Sequence, residues 1–262
     1  MTTWAYEGKN LRGVILRIER SSIYDGDGFR TVVFMKGCPL RCKWCSTPES
    51  WCFVKPEEAD RLVYGRVMTV EEVMKEIRKD SLFYFHSGGG MTISGGELLI
   101  QPEFCRCLLQ QSRKEGISTA IETALYAGWD RLEPILHSAS TVFADLKFVD
   151  RALHKEYCGV YNDQILDNYL KMNETAADFE LRVRIPLIPT INDSVQELNR
   201  MGEFCTKLKK LAYVQLLPYH RLGKDTYRRL NMKYELEELR SPSPEHMDWC
   251  RELIGQYVKV VK

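Results

Sequence analysis

The chain has 262 residues, of which 44% are hydrophobic, and a formal net charge of +1. This length can bury a large core without disulfides, and the near-neutral charge gives no electrostatic reason to expect nucleic acid or a membrane surface as a partner. No apolar run is long enough to span a bilayer, and the N-terminal segment lacks the basic and apolar regions of a secretory signal. The nine cysteines therefore indicate a reducing compartment, the cytoplasm, with thiols available for metal or redox chemistry.

Apolar segments rich in Val and Ile alternate with helical patterns along the chain. Strands are predicted at residues 31–37, 91–96, 118–123, 141–147, 180–188 and 213–220. Helices are predicted from Thr69, with Glu72 completing a capping box, at residues 102–116 and 193–210, and from Ser243, with Pro244 at the first helical position. Six strands that mostly precede helices predict parallel pairing through right-handed crossovers.

Polar residues end or follow each predicted strand. They are Cys38, Gly95-Gly96-Glu97, Glu122-Thr123, Asp145 to Lys147, Arg184 and His220. An open doubly wound sheet and a full or partial barrel both suit six such strands. In a parallel barrel the carboxyl ends of all strands meet at one rim, so a barrel would gather cysteines, glycines, carboxylates and cations at a single site.

Three cysteines lie close together in the segment GCPLRCKWCSTPES. Cys38, Cys42 and Cys45 have the spacing C-x3-C-x2-C. A tetrahedral zinc site or a cubane iron–sulfur cluster normally takes four protein ligands, whereas three thiolates leave one position open for a small molecule, as in catalytic metal sites. Cys52 is the candidate fourth ligand of a closed structural site, and the spacing alone leaves both interpretations open.

The cysteine motif, with Trp44 before its last cysteine, resembles the signature of the radical SAM superfamily. The longer stretch SIYDGDGFRTVVFMKGCPLRCKWCSTPES resembles the opening of the glycyl radical enzyme activating enzymes. The segments SGGGMTISGGELLIQPEF, AIET, ADLKFVD, RIPLIPTIND and LLPYHRLG follow in the order found in that family. The resemblance covers roughly residues 13–260. It implies an α/β fold, a partial (β/α)6 TIM-type barrel, in a single radical SAM domain over residues 1–262, with core elements at about 13–220 and a C-terminal helix and strand at about 243–262.

The resemblance also implies a reaction. Cys38, Cys42 and Cys45 would hold one [4Fe–4S] cluster whose open iron binds S-adenosylmethionine. Reductive cleavage would give a 5′-deoxyadenosyl radical that removes hydrogen from a glycine of a partner glycyl radical enzyme. Related activators often carry a ferredoxin-like insert with two further clusters, but residues 46–94 contain only Cys52. We therefore expect one cluster, reduced by an external donor such as flavodoxin or ferredoxin, in a monomer without nucleic acid or membrane partners.

The resemblance assigns cofactor contacts to particular residues. They are Trp44, Cys45, Ser46, Gly95, Gly96, Glu97, Asp145, Leu146, Lys147, Arg184 and His220. Arg182 has the same parity along its strand as Arg184, and only the family register favours Arg184. Asp145 and Lys147 could contact the cofactor or form a salt bridge across the barrel mouth. Glu122 and Asp145 could share a monovalent cation.

The segment DGDGFR, residues 25–30, resembles a family loop near the entrance used by the partner protein. Asp27 stands where the family has proline, and Thr47 and Thr190 stand where relatives often have Asn and Gly. An incomplete barrel of six strands leaves one sheet edge unpaired. We expect that edge to accept the glycine-bearing segment of the partner as an added strand.

Two other functions remain compatible with these patterns. One is a radical SAM enzyme that acts on a small molecule, and the other is a non-catalytic zinc or iron–sulfur binding module. Zinc without sulfide would indicate the module, and a glycine radical on a partner protein would indicate the activating enzyme. Nothing in the sequence names the partner.

Overall fold

The computed structural model describes residues 8–262, in which nine strands form one sheet. The sheet order is β3-β1-β2-β4-β5-β6-β7-β8-β9. The strands are β1 (Arg12–Ser22), β2 (Arg30–Met35), β3 (Arg66–Thr69), β4 (Gly90–Gly95), β5 (Ser118–Thr123), β6 (Thr141–Asp145), β7 (Glu180–Leu187), β8 (Leu211–Pro218) and β9 (Val260–Val261). All pairs from β2 to β9 are parallel, while β1 is antiparallel to both β2 and β3. The sheet stays open, which confirms the expected partial barrel.

Helices connect most of the parallel strands, as the alternating pattern predicted. They are α1 (Val70–Arg78), α2 (Ser81–Ser87), α3 (Pro102–Lys114), α4 (Trp129–Leu136), α5 (Arg151–Cys158), α6 (Asp163–Lys171), α7 (Val195–Cys205), α8 (Lys224–Arg229) and α9 (Pro244–Gly255). The predicted capping box of Thr69 and Glu72 opens α1, and Ser243 caps α9. The helix predicted at 193–210 is shorter, because α7 ends at Cys205.

The two faces of the sheet differ in chemistry because strand residues alternate between them. One face packs against helices and carries the fully buried Val33, Ile93, Ile121, Val142 and Val183. The other face carries the intervening polar residues. They include Thr92, Ser94, Glu122, Asp145, Arg182 and Arg184. The concave face of the open barrel is therefore lined by hydrogen-bonding and charged groups.

Both outer edges of the six predicted strands have neighbours, but β9 covers only two residues of β8, so the expected free edge is present only in part. The long strand β1 pairs with β2 between Ile15 and Ser22. At the other side, β9 pairs with Val214 and Gln215 of β8. An incoming peptide therefore cannot use the whole of either edge as a template. Among residues 8–262, no helix is both long and apolar enough to cross a membrane.

Candidate active site

A cavity opens at the carboxyl ends of the parallel strands and collects most of the predicted site residues. Those in its lining are Cys38, Cys42, Trp44, Cys45, Ser46, Gly95, Gly96, Glu122, Asp145, Lys147 and His220. Glu97, Leu146 and Arg184 lie outside this lining. Leu146 packs its side chain into the main hydrophobic core. The strand ends that the sequence set apart thus do meet at one rim.

Backbone hydrogen bonds tie the cysteine loop, residues 37–50, to two other segments. Arg41 N and Lys43 N donate to the carbonyls of Cys158 and Tyr157 at the end of α5, at 2.8 and 3.0 Å. At the other side, the Glu97 N–H donates to the Gly37 carbonyl at 2.7 Å. The loop is therefore held between the end of α5 and the turn that follows β4.

The turn after β4 requires glycine at two successive positions. Gly95 has a φ of +116°, and a Cβ there would lie 2.3 Å from the Met35 nitrogen. A Cβ on Gly96 would lie 2.2 Å from the Gly37 carbonyl oxygen and 3.3 Å from the Cys38 Cβ. Glycine thus lets the turn lie directly against the first cysteine of the motif and leaves backbone exposed to the cavity.

The three motif thiols differ in their electrostatic surroundings. Burial raises the pKa of Cys38 far above its usual value and raises the pKa of Cys45 to about 11. The Cys158 thiol beside it lowers the pKa of Cys42, and burial raises the pKa of Cys158 itself. Bound as thiolates, these cysteines would need a nearby positive centre, which iron supplies.

The donor set suits a cluster better than a single ion. In residues 8–262, no three His, Cys, Asp or Glu side chains converge tightly enough to bind one metal ion. In a cubane each cysteine binds its own iron, so the three thiols need not converge on one point and can be spread around a cavity, as Cys38, Cys42 and Cys45 are. Cys52 is exposed and does not line the cavity. The buried Ser50 hydroxyl, which faces the cavity, has no hydrogen-bond partner within the protein.

Glu97 joins two loops of the rim. Its carboxylate accepts hydrogen bonds from Thr123 Oγ1 and Ala124 N, both at 2.8 Å, and from Leu99 N at 3.2 Å. The side chain is fully buried, and this burial raises the pKa of Glu97 to about 7 against the opposing effect of these bonds. Glu97 therefore fixes the turn after β4 to the end of β5.

Charged side chains on the floor of the cavity are paired. Lys147 Nζ lies 2.6 Å from Asp145 Oδ2, which is the salt bridge weighed from the sequence. Burial alone would lower the pKa of Lys147, but Asp145 and the neighbouring thiols outweigh it and raise that pKa. Glu122 accepts hydrogen bonds from Arg184 and, at 2.6 Å, from the Ser94 hydroxyl. Burial still raises the pKa of Glu122 to about 7.

Arg184 and Arg182 hold the DGDGFR segment inside the barrel. Arg184 donates to the Tyr24 carbonyl at 2.6 Å and lies over the Phe143 ring at 3.9 Å. Arg182 binds both carboxylate oxygens of Asp27, at 2.9 and 2.6 Å, and this bond lowers the pKa of Asp27. These residues line a second cavity, which shares Leu217 and His220 with the first.

Residues 219–240, here called the cover segment, pack on the cysteine loop. A Cβ on Gly223 would lie 2.7 Å from the Cys45 carbonyl oxygen. Tyr227 meets the Trp51 ring edge-on at 5.9 Å. Tyr219 and Tyr234 share a hydrogen bond of 2.8 Å. Tyr234 is buried and packs with Tyr219 and Tyr227, so this part of the cover segment also lies against the site.

Several residues of the lining were not predicted. They are Leu40, Ser50, Ser94, Ala124, Pro186, Ile188, Leu217, Pro218 and Tyr219. Tyr219 lies directly beside His220 in the LLPYH segment, so that motif pointed to its neighbourhood. Ser50 carries no signal of its own, because its position follows from the turn that returns the cysteine loop to Gly37.

Comparisons with known proteins show what this chain as a whole is similar to. The radical SAM superfamily profile matches residues 32–201. The (2S)-3-sulfopropanediol dehydratase activating enzyme of Klebsiella oxytoca is 35% identical, with 93% of this chain and 94% of the relative covered. The pyruvate formate-lyase-activating enzyme of Clostridium pasteurianum is 34% identical, with 94% and 97% covered. A domain of a pyruvate-formate lyase-activating enzyme from Bacteroides vulgatus has a similar structure, at 30% identity and a TM-score of 0.56, covering 66% of this chain and 98% of that one.

The alignments also bear on length. The alignment with the Klebsiella oxytoca protein spans 302 positions, whereas 93% of this chain is about 244 residues, so about 58 aligned positions have no counterpart here. The alignment with the Clostridium pasteurianum protein spans 247 positions for 94% of this chain, about 246 residues. This chain therefore has the length of the shorter relative.

Proposed function

Because the chain belongs to the radical SAM superfamily and, within it, to the glycyl radical enzyme activating enzymes, we propose that its two cavities have different roles in activation. The cavity that contains Cys38, Cys42 and Cys45 would hold one [4Fe–4S] cluster and S-adenosylmethionine. The observation that carries this proposal is the convergence on one cavity of three thiols, two glycines and the ion pair between the buried Lys147 and Asp145. When bound, the cluster and S-adenosylmethionine supply a 5′-deoxyadenosyl radical that removes hydrogen from a glycine Cα.

The chain's own residues position the cofactor. The backbone at Gly95 and Gly96 lines the cavity, and its carbonyl groups can accept hydrogen bonds from the methionine end of S-adenosylmethionine. Lys147, held by Asp145, offers an ammonium to a carboxylate. Trp44, Ser46 and His220 line the part of the same cavity that we propose for the adenosyl group. The apolar walls exclude water from the reacting atoms.

Arg184 and the proposed monovalent cation depend on the charge pairs described above. Arg184 is bound to Glu122 and Tyr24 and lines the second cavity, so a direct contact with the cofactor carboxylate would require it to leave these partners. A cation between Glu122 and Asp145 would compete with Arg184 and Lys147 for the same carboxylates. We retain both assignments as proposals, with Lys147 as the better placed cationic contact.

The second cavity offers a route for the partner's glycine. It lies beside the DGDGFR segment and joins the first cavity at Leu217 and His220. A segment that enters there would reach the adenosyl side of the site, and it would first meet the exposed Asp27. Because β1 and β9 already pair with parts of both edges, we propose that side chains and loop backbone of this cavity, in place of strand addition, receive the glycine loop.

The remaining partners follow from the cluster count. The chain has three motif cysteines, and about 58 aligned positions of the longer relative have no counterpart in it. We therefore propose a single cluster, which takes its electron from an external donor such as flavodoxin or ferredoxin. A reducing compartment such as the cytoplasm would keep all nine thiols free, as they are in the structure. We propose that the chain acts as a monomeric, single-domain activator without nucleic acid or membrane partners.

The test uses anaerobically reconstituted protein, a chemical reductant and S-adenosylmethionine. Pyruvate formate-lyase from Clostridium pasteurianum and (2S)-3-sulfopropanediol dehydratase from Klebsiella oxytoca serve as probes, because they are the substrates named for two relatives. We expect 5′-deoxyadenosine and methionine, and a glycine-centred radical signal in electron paramagnetic resonance with at least one probe. Zinc without sulfide in the purified protein, or cofactor cleavage that requires a small-molecule substrate, would contradict the proposal.

A matched pair of substitutions tests the docking route. Asp27 and Asp163 are exposed aspartates that each bind one arginine. Asp27→Ala and Asp27→Pro should change the rate of partner activation while leaving S-adenosylmethionine affinity nearly unchanged. Asp163→Ala should change neither quantity. Loss of cofactor binding with unchanged partner affinity in the Asp27 variants would place this loop in the cofactor site instead.

A further inference from the structure

The short helix α2 presents large apolar side chains to solvent. Leu82, Phe83 and Phe85 on this helix are 66%, 52% and 84% exposed. Phe29 is also exposed, and its ring centre lies 6.0 Å from that of Phe83. These four side chains are called the apolar patch. Exposed helix positions are ordinarily polar, so three large apolar residues in a helix of seven residues indicate a binding surface.

The helix that carries the apolar patch is anchored in two places. Tyr84, its buried residue, donates a hydrogen bond from its hydroxyl to the Ile77 carbonyl at 3.0 Å. At the end of the helix, the Ser87 hydroxyl accepts a hydrogen bond from Phe29 N at 2.9 Å. The patch is thus formed before any partner binds, and docking on it would require little ordering of the backbone.

The apolar patch lies at the amino ends of the parallel strands. Phe29 directly precedes β2, and two residues separate the end of α2 from the start of β4. The cysteine loop lies at the opposite end, after the carboxyl end of β2. A change in the patch therefore leaves the proposed cofactor site untouched, so an effect on partner binding can be measured separately.

The second cavity joins this end of the sheet to the cofactor site. Its lining includes Tyr213 near the start of β8 and Leu217 near the end of that strand. It meets the first cavity at Leu217 and His220. Residues 23–27 line it as well, and Phe29 follows two residues later in the same segment. A protein seated on the apolar patch can therefore extend a loop along the second cavity to the adenosyl side.

The size of the apolar patch favours a transient partner over a second copy of this chain. With about 150–250 Å² per aromatic side chain, the exposed parts of Phe29, Phe83 and Phe85 amount to roughly 250–450 Å². A stable interface needs about 800 Å² from each partner, so the patch alone cannot hold a permanent dimer. It suits the apolar centre of a larger, temporary interface, in which a few buried aromatic residues supply most of the binding energy.

We propose that the apolar patch is a docking surface for the partner glycyl radical enzyme, which seats an apolar area beside its glycine loop on α2 while that loop occupies the second cavity. This inference rests on the proposed function, because it requires a protein substrate. It adds a recognition surface that lies outside both cavities. Because the contact is apolar, its strength should depend little on ionic strength, unlike the contact proposed for the charged Asp27.

Two variants and two controls test this surface. Leu82→Ser and Phe85→Ser replace the two most exposed side chains of the patch with a polar one. Phe85→Leu keeps an apolar side chain at the same position. Val63→Ser is the matched control, because Val63 is 85% exposed and precedes β3, which pairs with the first residues of β1. Asp80, before α2, binds Arg20 near the other end of β1.

Formation of the glycine-centred radical is measured at varied partner concentration. The probe is whichever protein the wild type activates, pyruvate formate-lyase of Clostridium pasteurianum or (2S)-3-sulfopropanediol dehydratase of Klebsiella oxytoca. We expect Leu82→Ser and Phe85→Ser to raise the KM for the probe about ten-fold, as for the loss of a central interface side chain. Their kcat, S-adenosylmethionine affinity and iron content should not change. Phe85→Leu and Val63→Ser should stay within about two-fold of the wild type.

A wild-type KM in both serine variants of the patch, or an equal rise in Val63→Ser, would overturn the proposal. Amide hydrogen exchange of the wild type gives a second measurement that needs no variant. Exchange in residues 81–87 should slow when the probe is added, and unchanged exchange there would also overturn the proposal.

Two further outcomes separate this inference from its alternatives. Sedimentation velocity of the activator alone should show a monomer, and a dimer that Phe85→Ser abolishes would assign the apolar patch to a second copy of this chain and overturn the proposal. Absence of a glycine radical with the wild type and both probes is failure of the proposed function, and this inference falls with it. Failure of this inference alone leaves wild-type activation intact.

Discussion

Replacement of Glu97 tests whether a buried carboxylate holds the rim of the cavity together. Glu97→Ala removes the acceptor for the N–H groups of Leu99 and Ala124 and for the Thr123 hydroxyl. The hydroxyl can rotate to another acceptor, but the two backbone groups stay fixed. Each buried, unsatisfied donor costs about 1–3 kcal/mol, so the free energy of unfolding should fall by about 2–6 kcal/mol.

A loss of this size is a large part of the total stability of about 5–15 kcal/mol that is typical of a domain. Urea unfolding of the cluster-free protein under reducing, anaerobic conditions, followed by circular dichroism, measures the change. Glu97→Gln retains one carbonyl acceptor and should lose less. An unfolding free energy for Glu97→Ala within error of the wild type would refute the assignment.

Glu197 supplies the matched control. Its buried carboxylate also accepts two backbone N–H bonds, from Val149 at 2.6 Å and from Asp150 at 3.3 Å, but it lies on α7. Glu197→Ala should destabilise the protein to a similar extent and leave iron binding per folded molecule intact. Glu97→Ala should reduce both the stability and the iron binding per folded molecule, since Glu97 fixes the turn against Cys38. Equal iron binding in the two variants would show that Glu97 matters only for stability.

Three further predictions concern the cluster, the ion pair of Asp80 and the cover segment. Cys52→Ala should retain about four irons per chain, because the exposed Cys52 lies outside the cavity. Alanine at any of the three motif cysteines should abolish the cluster. Iron loss in the Cys52 variant would contradict a cluster with one iron free of protein ligands. Asp80→Asn should lower the free energy of unfolding by about 2 kcal/mol at neutral pH, since the Asp80 carboxylate accepts bonds from Arg20 and Thr31 that lower its pKa below 3.8. That difference should vanish in urea titrations as the pH falls through the folded pKa, and a pH-independent difference would rule out the charge as its cause. Gly223→Ala should weaken S-adenosylmethionine binding several-fold with iron retained, because its Cβ would lie 2.7 Å from the Cys45 carbonyl oxygen. The control Gly255→Ala should leave binding unchanged, because no atom lies within 4 Å of the new Cβ.

The elements that the sequence predicted well are those in which a local pattern determines the structure. The six parallel strands are runs of apolar residues, buried on the helix-facing side. The capping box at Thr69 and the Ser243 cap form within four residues and need no distant partner. The cysteine spacing likewise places three thiols in one loop.

The elements that were missed depend on distant partners. The strand β1 begins with the apolar residues 14–16 but continues into Arg17, Glu19 and Arg20, and its pairing with β3 depends on residues 66–69. The alternation of residues along β7 correctly predicts that Arg184 points into the barrel. It cannot reveal that Tyr24, 160 positions away, supplies one of its acceptors. The cover segment shows no periodic pattern because its burial comes from contact with the cysteine loop.

The attachment of the DGDGFR segment to β7 has a consequence for the order of folding. Arg182 and Asp27 are separated by 155 positions in the chain, and contacts of such separation form only after a long loop has closed. The segment beside the second cavity therefore reaches its final conformation after β7 joins the sheet, although it is among the first parts of the chain to be synthesised. A newly made molecule whose sheet is incomplete would lack the docking route proposed for the partner, which couples recognition of the substrate protein to completion of the activator's own fold.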